Sequence, residues 1–158
     1  MKTAVFPGSF DPITLGHLEI IKRISNQYEK VYVVIGRNAS KCPFLDAEDR
    51  RDLIAEITRQ YKNVEVVIDD GLVVDFCKSV GCKTIIRGVR SVHDFTSEQN
   101  LAYNNAHLEP DIETLLIFGR QEYMHISSSG VRELHKFNRD VSHLVPQKVV
   151  QFLKENSK

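Results

Sequence analysis

The sequence predicts an α/β domain: a Rossmann-like, doubly wound five-stranded parallel sheet, closed by C-terminal helices. Two observations carry this. Five short β-branched or apolar runs recur along the chain, at Thr3–Phe6, Val31–Gly36, Val64–Ile68, Thr84–Arg87 and Glu113–Phe118. Segments with helical spacing lie between them, and alternating strands and helices imply βαβ units, parallel pairing and right-handed crossovers.

The first run ends at Phe6-Pro7-Gly8 and is followed by a stripe at Leu18, Ile21, Ile24 and Tyr28, whose steps of three and four give one apolar helix face. The second run, Val31-Tyr32-Val33-Val34-Ile35, is apolar at every position, as befits a strand covered on both faces. Leu53, Ile57 and Tyr61 make the next helical stripe, with Asp46 placed as an N-cap and Asp49 in an acidic first turn. After the third run, Gly81 is placed to stop a helix through Val80. Beyond the fifth run the pattern is helical, with Val131 and Leu134 in one segment and Val149, Val150 and Leu153 in another after Pro146. No repeat, low-complexity tract or linker interrupts the 158 residues, and chains well under about 250 residues seldom divide, so residues 1–158 read as one domain.

Composition narrows the function classes. Lys plus Arg (21) equals Asp plus Glu (21), so the chain lacks the basic footprint of a nucleic-acid binder, and any polyanion must be held by a local cluster. The three cysteines, Cys42, Cys77 and Cys82, form no C-x-x-C pair and read as free thiols of a reducing compartment. No apolar run approaches the ~20 residues that span a bilayer. A cytoplasmic protein without membrane or nucleic-acid partners is expected.

In doubly wound sheets ligands bind beyond the carboxyl ends of the strands, where strand order reverses. The loop after the first strand reads Gly8-Ser9-Phe10-Asp11-Pro12-Ile13-Thr14-Leu15-Gly16-His17. It combines a glycine for close approach or positive φ, a hydroxyl, and a Gly-His pair where an opening helix exposes unpaired N–H groups. A histidine at a helix start also reads as a cap or a surface residue. The loop lacks the G-x-G-x-x-G turn of dinucleotide enzymes, and no G-x-x-x-x-G-K-[ST] occurs, so a phosphate-binding α/β loop carrying a histidine remains.

The second strand is followed by Arg37 and Lys41 in a polar loop, readable as a solvated segment or as part of an anion site. The fourth delivers Arg87-Gly88-Val89-Arg90. A pair of arginines at a strand end either grips phosphate in bidentate forks or forms ion pairs with Asp94 and Glu98. After the fifth strand, Ile126-Ser127-Ser128-Ser129 sets hydroxyls beside the free N–H groups of an opening helix, a second phosphate cradle or simply an N-cap.

From Pro7 to about Pro146 these strings resemble the nucleotidyltransferases with a T/H-x-G-H loop. The resemblance rests on Pro7-Gly8-Ser9-Phe10-Asp11-Pro12, Thr14-Leu15-Gly16-His17, Ser40-Lys41, Ile86-Arg87-Gly88-Val89-Arg90, Asp94-Phe95 with Glu98, Asn104 with His107-Leu108, Glu113-Thr114-Leu115, and Ile126-Ser127-Ser128-Ser129. The R-G-x-R stretch and the segment through Glu98 are similar to the branch whose acceptor is 4′-phosphopantetheine. The resemblance implies adenylyl transfer from ATP to that acceptor, with Mg2+ assisting, a homohexamer, and coenzyme A as a feedback ligand. It implies no protein ligand set for the metal.

By the same resemblance the catalytic residues are His17, Lys41, Arg90 and Ser128. ATP would be held by Ser9, Phe10, His17, Gly88, Val89, Arg90, Glu98 and the stretch Tyr123, Met124, His125, Ile126, Ser127, Ser128 and Ser129. The acceptor would be held by Ser9, Lys41, Val73 and Arg87. The chain departs from the family pattern at Ser9 for Thr, Cys42 for Lys, Ser97 for Tyr and Tyr123 for Trp. The competing expectations are a related enzyme that uses nicotinamide mononucleotide or glycerol phosphate as acceptor, a non-catalytic nucleotide-binding regulator, and an RNA-binding fragment of the aminoacyl-tRNA synthetase type. Thr14 stands where the nicotinamide enzymes carry histidine, and the neutral charge speaks against RNA.

Overall fold

The computed structural model describes residues 1–36 and 42–156, so Lys41 and residues 37–40 lie outside the described residues. In chain order it contains β1 (Thr3–Gly8), α1 (Leu15–Ser25), β2 (Lys30–Gly36), α2 (Ala47–Thr58), β3 (Val64–Asp69), α3 (Val73–Ser79), β4 (Thr84–Val89), α4 (Val92–Leu108), β5 (Glu113–Phe118), α5 (Ser128–Lys136) and α6 (Gln147–Glu155). The sheet is all parallel, in the order β3-β2-β1-β4-β5. The chain therefore winds outward from β1 to β3, then returns past β1 to build β4 and β5. The reversal lies between β1 and β4, whose register places Val5 opposite Ile85.

Alternation along the strands sorts the core onto two faces. Val31, Val33 and Ile35 of β2 join Ala4 and Phe6 of β1, Ile86 of β4, Ile21 and Ile24 of α1, Ile54 of α2 and Val149 of α6 on one face. Val5, Val34 and Ile85 point the other way, onto Val74 and Cys77 of α3 with Cys82. Both faces are covered, and for that reason β2 is apolar throughout. Tyr28 and Tyr61 lie past the ends of α1 and α2, yet both pack against the first cluster.

Several local expectations need adjustment. Pro7 and Gly8, and Gly88 and Val89, are the last residues of β1 and β4 rather than loop. Asp46 stands at the N-cap position of α2 but makes no side-chain capping bond, although Glu48 and Asp49 do give the helix an acidic first turn. Gly81 stops α3 as expected, at φ +64. The positive φ of the first loop belongs to Phe10 (+47), not to Gly8. A bulky residue in the left-handed region is unfavourable, and it is held here by burial of a ring that is 1% exposed.

Candidate active site

The reversal point forms a cleft of ≈ 220 Å³ at the carboxyl ends of β1 and β4, lined among others by Ser9, Gly16, His17, Arg87, Arg90 and Glu98. A second, more polar cavity of ≈ 400 Å³ adjoins it through Ser9, His17 and Arg90, and reaches Arg50, Ser127, Ser128, Ser129 and Arg132. The topology thus gathers the first loop, the end of β4 and the start of α5 around His17.

His17 is both a cap and a site residue. Thr14 is the N-cap of α1, and its hydroxyl accepts from the His17 backbone N–H at 3.3 Å. The Thr14 backbone N–H donates in return to His17 Nδ1 at 3.1 Å, closing a capping box. Because Nδ1 accepts that bond it carries the lone pair, and the proton of the neutral ring sits on Nε2. The ring also packs edge-on against Phe10, with centroids 5.1 Å apart. Burial, then Arg90, then Arg87, lower its pKa from 6.5 to about 4. His17 is therefore a neutral hydrogen-bond donor at pH 7.

This has a measurable consequence. In the free protein the His17 ring should titrate near pH 4 in an imidazole-resolved NMR titration, and a midpoint above 6 would contradict the assigned environment. As pH falls, the unfolded chain takes up this proton first. Stability should therefore decline from about pH 6.5 toward pH 4, by at most about 3–4 kcal/mol at 1.36 kcal/mol per unit.

The two arginines of β4 and its end are already engaged. Arg87 meets Glu98 through a two-pronged pair, Nε to Oε2 at 2.6 Å and Nη2 to Oε1 at 2.8 Å, while Nη1 donates to the Pro7 carbonyl at 2.7 Å. Arg90 donates through Nε to Asp94 Oδ2 at 3.0 Å and through Nη1 to the Ile126 carbonyl at 2.6 Å. Of the two sequence readings of this pair, ion pairing is the arrangement present, yet both guanidiniums remain on the cleft wall. Arg87 also ties β4 to β1, and Arg90 ties β4 to the loop before α5. Gly88, between them, admits no side chain without movement: a Cβ there would stand 2.6 Å from Ile20 Cδ1.

The serines behave likewise. Ser127 caps α5, accepting from the Gly130 N–H at 3.0 Å. Ser128 donates to the Pro12 carbonyl at 2.8 Å, and Ser129 accepts from Arg132 at 3.0 Å. Tyr123 and Ile126 line the cleft. Met124 and His125 are exposed and line neither cavity, Val89 is buried in the sheet, and Phe10 contributes to the cleft wall. Val73, at the start of α3, packs beside the second core cluster and also lines neither cavity.

Two cavity arginines, Arg50 and Arg132, were given no site role by the sequence. Arg50 sits in Asp49-Arg50-Arg51-Asp52, which reads as a solvated helix face, and Arg132 follows the serine run by three positions. Arg132 donates to the Asp11 carbonyl at 2.6 Å. For both, the signal is tertiary. Among the described residues no group of three or more His, Cys, Asp and Glu side chains converges, and the cleft carboxylates of Asp94 and Glu98 are each turned to an arginine.

The cytidylyltransferase-like family pattern matches residues 5–134, which span all of these loops. The phosphopantetheine adenylyltransferase of Alkaliphilus metalliredigens (strain QYMF) is 42% identical over 157 residues, covering 99% of this chain and 100% of the relative. The chain belongs to the cytidylyltransferase-like family, among the phosphopantetheine adenylyltransferases. The enzyme of that name from Symbiobacterium thermophilum is 43% identical over 98% of this chain and 96% of its own length. A crystal structure from Vibrio parahaemolyticus, assigned as a nicotinate-nucleotide adenylyltransferase, superposes with TM-score 0.71 at 18% identity, covering 98% of this chain and 93% of that one, and confirms the fold alone. As a member of the phosphopantetheine adenylyltransferases the chain is a nucleotidyltransferase. No helix among the described residues is long and apolar enough to cross a membrane.

Proposed function

We propose that this single domain transfers the adenylyl group of ATP to 4′-phosphopantetheine, giving dephospho-coenzyme A and pyrophosphate. The observation that carries the reading is the convergence of a neutral His17 donor with Arg87 and Arg90 on one cleft at the reversal point of the sheet. The acceptor's phosphate monoester is anionic at neutral pH, so no general base is needed to create the nucleophile. One of its oxygens attacks the α-phosphorus in line, and the bond from that phosphorus to the bridging oxygen breaks with its electron pair leaving on pyrophosphate. The obstacle is repulsion between anions, and catalysis consists of positioning and charge neutralisation.

His17 Nε2–H donates to the α-phosphate, while Lys41 bridges the attacking and α-phosphates. Arg87 fixes the acceptor phosphate, Arg90 takes phosphates of ATP, and Ser9, the Phe10 amide and the Ser127–Ser129 end of α5 complete the cradle. Gly88, Glu98, Tyr123 and Ile126, which line the cleft, contact the nucleotide; the family resemblance adds Val89, Met124 and His125 on the nucleotide side and Val73 on the pantetheine side, none of which lines either cavity. Magnesium, when bound with the triphosphate, shields phosphate charge.

Assembly and control follow from the same reading. Val92, Phe95 and Tyr103, which share one side of α4, are exposed, as are Leu115 and Phe118 of the edge strand β5, and such exposed apolar side chains support self-association into a homohexamer. Coenzyme A carries both the pantetheine arm and an adenine nucleotide, so a cleft that takes both substrates also takes it as a feedback ligand. Free cysteines support a cytoplasmic location.

The test is pyrophosphate release from ATP and magnesium with 4′-phosphopantetheine, nicotinamide mononucleotide and glycerol phosphate in parallel. Release with phosphopantetheine alone, with a dephospho-coenzyme A mass, is the expected result. Release with another acceptor only would keep the enzyme class and reassign the acceptor.

A further inference from the structure

We propose that Arg50 is a positioning residue for adenylyl transfer, holding the Ser9 carbonyl and so fixing the turn that presents Ser9 and the Phe10 amide to the phosphates. The inference rests on the adenylyl-transfer reading. It starts from an anomaly in α2. Arg51 does what its surroundings suggest, pairing with Asp52 at 2.8 Å on the exposed face. Arg50 is only 5% exposed and forms no ion pair among the described residues. Nη1 instead donates to the Ser9 carbonyl at 2.6 Å, and Nε reaches the Asp46 carbonyl at 3.4 Å.

A buried guanidinium without a carboxylate is unfavourable, and α2 could be packed by an apolar side chain at this position. What the guanidinium supplies is a charged grip on a strained turn. Ser9 precedes Phe10, whose φ of +47 the chain does not adopt unaided. On the other side of Phe10, the Asp11 carboxylate accepts from the Phe44 and Leu45 N–H groups, both at 2.8 Å. Residues 9 and 11 are thus clamped separately to the segment leading into and through α2. Phe10, held between the clamps, packs its ring on His17. Release of the Ser9 clamp therefore displaces the phosphate loop and the histidine together.

The test compares wild type with Arg50→Met, which keeps volume, and the milder Arg50→Lys, which keeps charge. In Arg50→Met, kcat should fall by about 10²-fold, as for small misplacements of a reacting centre, with KM for ATP within about threefold of wild type. Arg50→Lys should recover part of the loss. Amide exchange in the free protein should quicken at Phe10 and leave Ala4 and Val5 in β1 unchanged. Turnover of Arg50→Met within threefold of wild type would overturn the proposal. So would faster exchange throughout β1 accompanied by equal losses in kcat and both affinities, which is the mark of a merely structural residue. Wild-type protein silent with phosphopantetheine would instead overturn the underlying reading, an outcome read before any variant is compared.

Discussion

His17→Ala should lower kcat by about 10²–10³-fold, the usual effect of deleting one preorganised donor to a developing oxyanion, while the Kd for ATP moves by less than about threefold. The argument is one of charge state. With its pKa near 4, His17 is neutral in the working range, and Nδ1 is committed to the Thr14 backbone. On the proposed reading it would therefore offer the α-phosphate a dipole rather than a cation. In the ground state water or neighbouring arginines can replace such a dipole, but as charge accumulates on the non-bridging oxygens the fixed N–H becomes stronger without reorganising. The substitution also leaves the Thr14 N–H without its partner and should cost roughly 1 kcal/mol of stability, the usual value of a lost cap, measured separately by denaturant unfolding. Equal losses in kcat and ATP affinity, or no loss in turnover, would remove His17 from the transition state.

The fold was legible because hydrophobic burial leaves a periodic trace. All five strands lie where the apolar pattern puts them, since β2 is buried on both faces; of the α1 stripe Ile21, Ile24 and Tyr28 join the core, with Ile20 in place of Leu18, and the α2 stripe packs on the same cluster. The pattern fails at α4, the longest helix, where Asn105 is the only buried residue and Val92, Phe95 and Tyr103 face outward. Its apolar positions therefore do not mark a core stripe. The strands β1 and β4 run two residues past the apolar runs Thr3–Phe6 and Thr84–Arg87, because a glycine at the carboxyl end of a strand serves close packing as readily as a bend. In the site, the loops were readable from their order along a doubly wound sheet, and the cleft does join His17, Arg87 and Arg90. The partners were not. Nothing local distinguishes Arg50 from Arg51, and nothing in R-G-x-R states that its guanidiniums hold Glu98 and Asp94.

That arrangement shapes the second large effect. Arg87→Ala should weaken 4′-phosphopantetheine binding by about 10²-fold in calorimetry, as expected when a two-pronged, charge-assisted contact is removed, and should leave ATP affinity much less affected. Glu98 fills the Arg87 fork with a geometry that an acceptor phosphate would have to displace. The exchange is favourable in charge, because a phosphate monoester brings nearly two negative charges against the carboxylate's one. If Arg87 holds the acceptor as proposed, Glu98 should oppose acceptor binding while preorganising the guanidinium. Glu98→Gln keeps the shape and removes the competing charge, so it should bind the acceptor several-fold more tightly, the opposite sign to Arg87→Ala. If both variants leave acceptor affinity unchanged, Arg87 is a strut between β4, α4 and the Pro7 carbonyl, and the acceptor phosphate lies elsewhere in the cleft. If Arg87→Ala weakens binding but Glu98→Gln does so equally, the carboxylate orients the fork without competing for it. Opposite signs in the two variants are what an anion exchanged at a single guanidinium requires.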